Sequence, residues 1–508
     1  MTALQHVQAM DPRTGTPTGF EVAETTAAEV DQAAERAAAA APAFGGSSRI
    51  DRARWLRAIA DALETARPEL VPVADQETAL GDGRLNGELT RTCFQLRLFA
   101  EVVEDGGYVE AVIDHAGDTA MGPRPDLRRM LVPIGPVAVF GASNFPFAFS
   151  VPGGDTAAAL AAACPVVIKA HPSHPETSQR CFEVLRDALS AAGAPDGVVS
   201  LVHGVDAGAA VVRHPAIRAV GFTGSSRGGQ ALARLAAERP DPIPFYGELS
   251  GLNPLVISPG AARARGAEIA EGLVASVMLG AGQFCTKPGL VFLLADAAGD
   301  EVLAGMAAAL DAAAPPVALD AGIGSAFASG RTELSASNGV STVAEVAADG
   351  SGYRMAPTLL TVPAAELDGR LLEECFGPLA VVVRYADSDE LGAALRMVPG
   401  SLTASLHIED DEATLSAAVL PLLAERAGRL VWNGYPTGVA VAWAMQHGGP
   451  APSTTNSLHT SVGPTAIRRF VRPLTFQNAP AAALPAELVD GPASIPRRVD
   501  GRLVPATA

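Results

Sequence analysis

The chain has 508 residues, 48% of them hydrophobic and 18% charged, with a formal net charge of −18 at pH 7. It is too long for one core and too apolar for a disordered chain, so a globular protein of two or three domains is expected. The acidic balance opposes binding to nucleic acid or an anionic membrane, and the longest apolar runs, such as 156–168, are too short to cross a bilayer.

Residues 22–41 and 50–66 read as amphipathic, alanine-rich helices, with Thr25, Thr26, Ser47 and Ser48 available as caps, and 86–104 continues in helical style. At 119–133 the character changes. Pro123, Arg124 and Pro125 precede a polar–apolar run from Leu127 to Val132, which is expected to form a hairpin arm. Strands are predicted at 137–140, 165–169, 198–202 and 219–223, with helices at 155–163 and 177–192 between them and Pro175 near the start of the second. Such βαβ units bind ligands at the C-terminal ends of their strands. A second set follows: a strand at 254–257, a helix at 267–279, and strands at 289–294 and 379–384. From about 484 the chain is rich in proline and alanine and is expected to lie along the surface.

The five cysteines, Cys93, Cys164, Cys181, Cys285 and Cys375, are odd in number, widely spaced and free of any CxxC pair. Neither a disulfide framework nor a metal site is expected, and with no secretory pattern at the start a reducing cytoplasm is the expected location.

Chemistry concentrates in a few short motifs. Cys285 ends Gly280-Ala281-Gly282-Gln283-Phe284, after Glu248 in Glu248-Leu249-Ser250-Gly251. A thiol attacks only as the thiolate, and a carboxylate sharing its pocket can activate water. The ordinary alternative is a buried cysteine acting as a small hydrophobe. Glu248, between apolar neighbours, is expected to have a raised pKa suited to a general base. Asn144, just after the strand ending at Phe140, can aim its amide at a developing oxyanion, or can simply make a turn. Lys169 is one of only two lysines, with Lys287, and stands at a strand end before His171-Pro172-Ser173. It can bind ribose hydroxyls or a phosphate, or be an ordinary surface lysine. Thr223-Gly224-Ser225 runs from a strand toward a helix N-terminus, where a diphosphate is favoured. Glu374-Cys375-Phe376-Gly377-Pro378 adds a carboxylate before an aromatic turn.

In this order, the motifs from Asn144-Phe145-Pro146 through Lys169, Gly221–Ser225, Glu248–Gly251 and Gly282–Cys285 to Glu374–Pro378 resemble the aldehyde dehydrogenase superfamily along nearly the whole chain. The resemblance implies an α/β fold with a Rossmann-type cofactor domain (1–118 and 134–247) and a catalytic domain (248–450). It also implies an oligomerisation β-arm with its C-terminal segment (119–133 and 451–485), and a surface tail (486–508) is added. It implies that Cys285 attacks the aldehyde, that Asn144 and the Cys285 N–H hold the oxyanion, and that Glu248 activates water against a thioester. Lys169, Ser173, Thr223, Gly224, Ser225, Glu374 and Phe376 would bind the dinucleotide. A homodimer or homotetramer is implied.

Phe145-Pro146-Phe147-Ala148-Phe149-Ser150, Asn433–Val439 and Met445-Gln446-His447-Gly448 narrow the resemblance. They are similar to the branch holding 2-oxoglutarate semialdehyde (2,5-dioxopentanoate) dehydrogenases and a bacterial long-chain fatty aldehyde dehydrogenase. NADP is expected ahead of NAD, because Pro172 stands where NAD-preferring relatives carry a glutamate that would repel a 2′-phosphate. The substrate side is expected to include Phe145, Gln283 and His447, the last near the thiol. Arg97 is the candidate cation for a substrate carboxylate. A CoA-acylating enzyme, a cysteine hydrolase and a non-catalytic relative are the competing classes. Glu248 argues against the first, the dinucleotide-like segments against the second, and the trio Asn144, Glu248 and Cys285 against the third.

Overall fold

The computed structural model describes residues 5–507. An open five-stranded sheet runs in the order Phe245–Glu248, Ala219–Thr223, Val137–Phe140, Val166–Lys169, Val199–Val202, with every neighbour parallel. All four residues of Val137–Phe140 are buried, as a strand covered on both faces requires. One face packs on helices Arg49–Thr78, Asp82–Asp105 and Gly154–Ala161, the other on Ala27–Gly45, Val205–Arg213 and Ser226–Ala237. Strand order reverses between Val137–Phe140 and Ala219–Thr223, where Phe140 pairs with Phe222. A crevice opens at the C-terminal ends of strands at such a switch point.

A second sheet of seven strands is ordered Ser341–Glu345, Thr358–Pro363, Leu379–Tyr385, Leu290–Leu294, Leu255–Ile257, Ser401–His407, Ala427–Trp432. It is parallel except at its first pair and carries apolar cores on both faces. A third sheet joins Val471–Gln477, Leu127–Pro133, Ala111–Asp114, Arg497–Val499 and Arg502–Val504.

Several boundaries differ from expectation. The first helix begins at Ala27, because Thr16–Ala23 pairs with His6–Asp11 as a hairpin. Thr26 caps that helix in a reciprocal box with Glu29. The second helix runs to Thr78, well past 66, despite Pro68 and Pro72. In the expected arm, only Gly117–Thr119 and Gly122–Arg124 make a short hairpin; Leu127–Pro133 pairs instead with Val471–Gln477 and Ala111–Asp114. The terminal segment lies against the body as expected, but two of its strands complete the third sheet, a non-local pairing that proline-rich composition hides.

Candidate active site

The first and second sheets meet at a cleft of about 530 Å³. Strand ends of the first sheet deliver Asn144, Thr223, Gly224, Ser225 and Glu248 to its wall; the second body contributes Cys285, Glu374 and Phe376.

Cys285 keeps part of its surface open, in a loop fixed from several sides. Fully buried Asn253 donates from its side-chain nitrogen to the carbonyls of Cys285 (2.8 Å) and Lys287 (3.0 Å), and its oxygen accepts from Thr403. Buried Lys287 donates to the carbonyls of Cys375 (2.9 Å) and Leu379 (2.7 Å), tying the cysteine loop to the Glu374 loop. The loops touch so closely that a Cβ on Gly282, whose φ is +69°, would lie 2.3 Å from the Gly377 backbone.

His447 Nε2 stands 3.0 Å from Glu248 Oε1 and 3.5 Å from Cys285 Sγ. Ser461 donates its hydroxyl to the other Glu248 oxygen. One imidazole N–H is thus shared between carboxylate and sulfur, and the proton sits on Nε2 by virtue of its acceptor. Contrary to expectation, Glu248 does not have a raised pKa. Burial pushes it up, but the charge and hydrogen bond of His447, with hydrogen bonds from Ser461 and Cys285, outweigh burial and hold it below the ordinary value. Apolar sequence neighbours could not reveal these partners. Burial, then the charge of and hydrogen bond with Glu248, then the charge of Glu374, push the Cys285 thiol well above its usual value. The resting sulfur therefore keeps its proton while the carboxylate beside it is ionised. One oxygen of Glu248, the sulfur of Cys285 and one ring nitrogen of His447 lie within 4.8 Å of one another, with His447 Nε2 in hydrogen-bond reach of both others.

The Asn144 amide donates to the Gln283 carbonyl at 2.8 Å, beside the thiol. Among the described residues no acceptor takes the Cys285 backbone N–H. Arg84 anchors the Asn144 carbonyl at 2.6 Å and lies over both Phe145 and Phe284, 4.9 Å from each ring centre.

On the dinucleotide side, Ser225 caps the helix Ser226–Ala237, turning that helix N-terminus toward the cleft. Glu374 is raised to about 7 by burial, against the charge of Lys287 and hydrogen bonds from Ser250 and Gly251. Lys169 lies outside the immediate cleft wall and is lowered to about 8 by burial, with Glu24 as its opposing charge. Its ammonium has no hydrogen bond or ion pair among the described residues. A capped helix N-terminus and a buried carboxylate on the cleft wall, with an unspent cation on the neighbouring strand end beyond it, fit a dinucleotide.

Two expected substrate residues are placed elsewhere. Arg97 faces outward, pairing with Asp61 at 2.8 Å and Glu64 at 3.9 Å with 42% of its side chain exposed. It sits on the wrong face of its helix to reach the thiol. Gln283 turns its side chain away to Leu319 N (3.0 Å) and Gly280 O (3.3 Å), so only its carbonyl faces Asn144. Ser173 reaches the cleft only through its hydroxyl bond to Asp320. Phe145 lines the wall as expected, stacked edge-on against Phe284 at 5.1 Å. Sequence reasoning missed Asn253, Arg84 and Glu88. Glu88 accepts from the backbone N–H groups of Phe147 and Ala148 at 2.8 and 2.9 Å and so shapes the Asn144 loop. The available signal was a polar stripe, Arg84, Glu88, Arg91 and Gln95, at helical spacing on an otherwise apolar helix face.

One cleft at the strand ends of an open parallel sheet thus gathers Asn144, Glu248, Cys285 and Glu374, the place where such a sheet binds a nucleotide. The model of the aldehyde dehydrogenase family matches residues 2–473, and the chain belongs to that family as an NAD(P)-dependent aldehyde dehydrogenase. It is 45% identical to alpha-ketoglutaric semialdehyde dehydrogenase 2 of Azospirillum brasilense, over 98% of this chain and 96% of that one. It is 41% identical to alpha-ketoglutaric semialdehyde dehydrogenase of Acinetobacter baylyi, over 96% and 94%. The fold matches 1-pyrroline-5-carboxylate dehydrogenase from Thermus with bound NAD, at a TM-score of 0.81 and 22% identity over 93% of this chain and 90% of that one. No helix among the described residues is long and apolar enough to cross a membrane.

Proposed function

We propose that the chain oxidises 2,5-dioxopentanoate (2-oxoglutarate semialdehyde) to 2-oxoglutarate through a thioester on Cys285, with NADP preferred to NAD. The observation that carries the mechanism is the contact of His447 with both Cys285 and Glu248 at the end of a dinucleotide-shaped cleft. The substrate rests on the two semialdehyde dehydrogenases at 41% and 45% identity.

The Cys285 sulfur bonds to the aldehyde carbon as its proton passes to the His447–Glu248 pair. The second Asn144 amide hydrogen and the Cys285 N–H hold the oxyanion, a contribution of about 3–4 kcal/mol. A nicotinamide bound in the cleft would supply the acceptor for the hydride that leaves that carbon. Glu248 then takes a proton from water as the water oxygen attacks the thioester carbon, and the departing sulfur recovers the proton that the His447–Glu248 pair took from it. Ser461 and His447 keep the carboxylate aimed throughout.

Glu374 and Phe376 would hold the nicotinamide ribose, Ser225 and its helix the diphosphate, and Lys169 the adenosine ribose with its phosphate. NADP is favoured because Pro172 brings no carboxylate toward that phosphate while Lys169 brings a free cation. The strands of the third sheet are the proposed oligomerisation arm.

The test is kcat/KM for 2,5-dioxopentanoate, succinic semialdehyde and a long-chain aldehyde, each with NAD and NADP. The five-carbon oxo-acid with NADP should lead. A tenfold lead for the long-chain aldehyde, about 1.4 kcal/mol, overturns the substrate. A lead for NAD overturns the cofactor preference and gives Glu24, the charge opposing Lys169, the ribose hydroxyls.

A further inference from the structure

The helix Asp82–Asp105 carries Arg84, Glu88, Arg91 and Gln95 along one stripe under the Asn144 loop. Arg91 packs on Phe149, 5.2 Å from the ring centre, and Phe149 lines the cleft with its ring 6.2 Å from that of His447. The Arg91 Nε donates to the Val439 carbonyl at 3.4 Å and Nη1 to Gln95 at 3.4 Å, both long; its Nη2 is buried with no partner. Arg429 on Ala427–Trp432 donates to the carbonyls of Gly438 (3.0 Å) and Pro436, while its Nε is buried and unpartnered. The two guanidiniums therefore grip one loop, 436–439, from two elements far apart in sequence.

Neither arginine has a carboxylate within ion-pair distance among the described residues. Burial works against the charged form of both. Against burial, the charge of Glu88, then of Cys285 once it is a thiolate, then of Glu248 favours charged Arg91; Cys285 as a thiolate likewise favours charged Arg429. Buried arginines are normally paired, since desolvating an uncompensated cation is costly. Two buried arginines with unspent donors on one loop, one of them stacked on Phe149 of the cleft wall, make an arrangement that an incoming anion can complete, with planar N–H donors matched to a carboxylate.

We infer that Arg91, with Arg429 across the 436–439 loop, binds the carboxylate end of an anionic aldehyde and holds its carbonyl at Cys285. This rests on the proposed function and names the cation that Arg97 was expected to supply. In a five-carbon semialdehyde the reacting carbon and the carboxylate carbon are four bonds apart, about 5 Å. An anionic ligand of that length spans from the thiol toward the Phe149–Arg91 stack. A long neutral chain would instead leave both donor sets unsatisfied, which is how a polar site rejects an apolar competitor.

The test compares wild type, Arg91→Met, Arg91→Lys and Arg429→Met with 2,5-dioxopentanoate and with pentanal, a neutral aldehyde of equal length. The ratio of kcat/KM for the anionic aldehyde over pentanal should fall about 100-fold in Arg91→Met, mostly through KM. It should fall about tenfold in Arg91→Lys and in Arg429→Met. Glutarate should slow carboxymethylation of Cys285 in wild type and not in Arg91→Met. Equal losses on both aldehydes, or an unchanged ratio in Arg91→Lys and Arg429→Met should Arg91→Met fail to fold, overturn the inference. If wild type oxidises neither aldehyde with either cofactor, the proposed function fails instead.

Discussion

Replacing Glu248 by glutamine separates two roles that the proposed mechanism gives one carboxylate. The amide keeps the shape and removes a charge whose donor atoms lie within 4.8 Å of Cys285 Sγ. At that distance, with an effective dielectric constant of about 20, the lost repulsion is about 3.5 kcal/mol. That is roughly a 350-fold rise in thiolate at any pH below the thiol pKa. A less basic thiolate is also less nucleophilic, with a Brønsted slope of about 0.45, which returns roughly 15-fold. Iodoacetamide should therefore alkylate Cys285 about 25-fold faster in Glu248→Gln than in wild type, read site by site by mass spectrometry. The four other cysteines are buried and serve as internal controls. With aldehyde and cofactor, the same variant should release a burst of about one reduced cofactor per subunit and then stall, because no base remains for the thioester. Alkylation at or below the wild-type rate would refute the electrostatic argument. An undiminished steady state would remove Glu248 from deacylation.

The interlocked loops give a second prediction. Gly282→Ala places a Cβ 2.3 Å from the Gly377 backbone at a positive φ, so thermal unfolding should show a loss of about 2–4 kcal/mol and turnover should collapse; an unchanged melting temperature refutes the packing argument. Cofactor affinity should also depend on pH from both sides. Glu374, raised to about 7, becomes protonated below that pH and ceases to be a full acceptor, so binding weakens as pH falls through 7. Lys169, lowered to about 8, loses its cation above that pH, so NADP binding weakens as pH rises through 8. Fluorescence titration should give tightest NADP binding between those limits, with Glu374→Gln flattening the acid limb and Lys169→Met the alkaline one. A flat wild-type profile contradicts both assignments.

How much of this was legible in sequence follows the range of each interaction. Strand-end motifs are local: Phe140, Lys169, Thr223 and Glu248 close apolar runs, and a parallel sheet must carry such ends to one edge. The helix faces were less legible. Arg91 and Arg97 lie on one helix, about 120° apart in projection. Nothing in local composition says which face looks at the thiol, so the expected cation fell on the solvent side. The lowered pKa of Glu248 was invisible for a similar reason, because His447 and Ser461 arrive from some two hundred residues downstream.

By itself the sequence determined the chemistry available: a cysteine, a glutamate, an amide and a glycine-bearing strand end, in the order that marks the aldehyde dehydrogenase family. Tertiary structure alone decided which groups share a proton, which arginines are left with unspent donors, and how Asn253 and Lys287 lock two loops together. Those outcomes depend on desolvation and on contacts between distant segments. Burial raises the thiol, its carboxylate neighbour stays ionised only because partners outweigh desolvation, and burial leaves guanidinium donors without water or partner; none of these is a property of a residue in its local sequence.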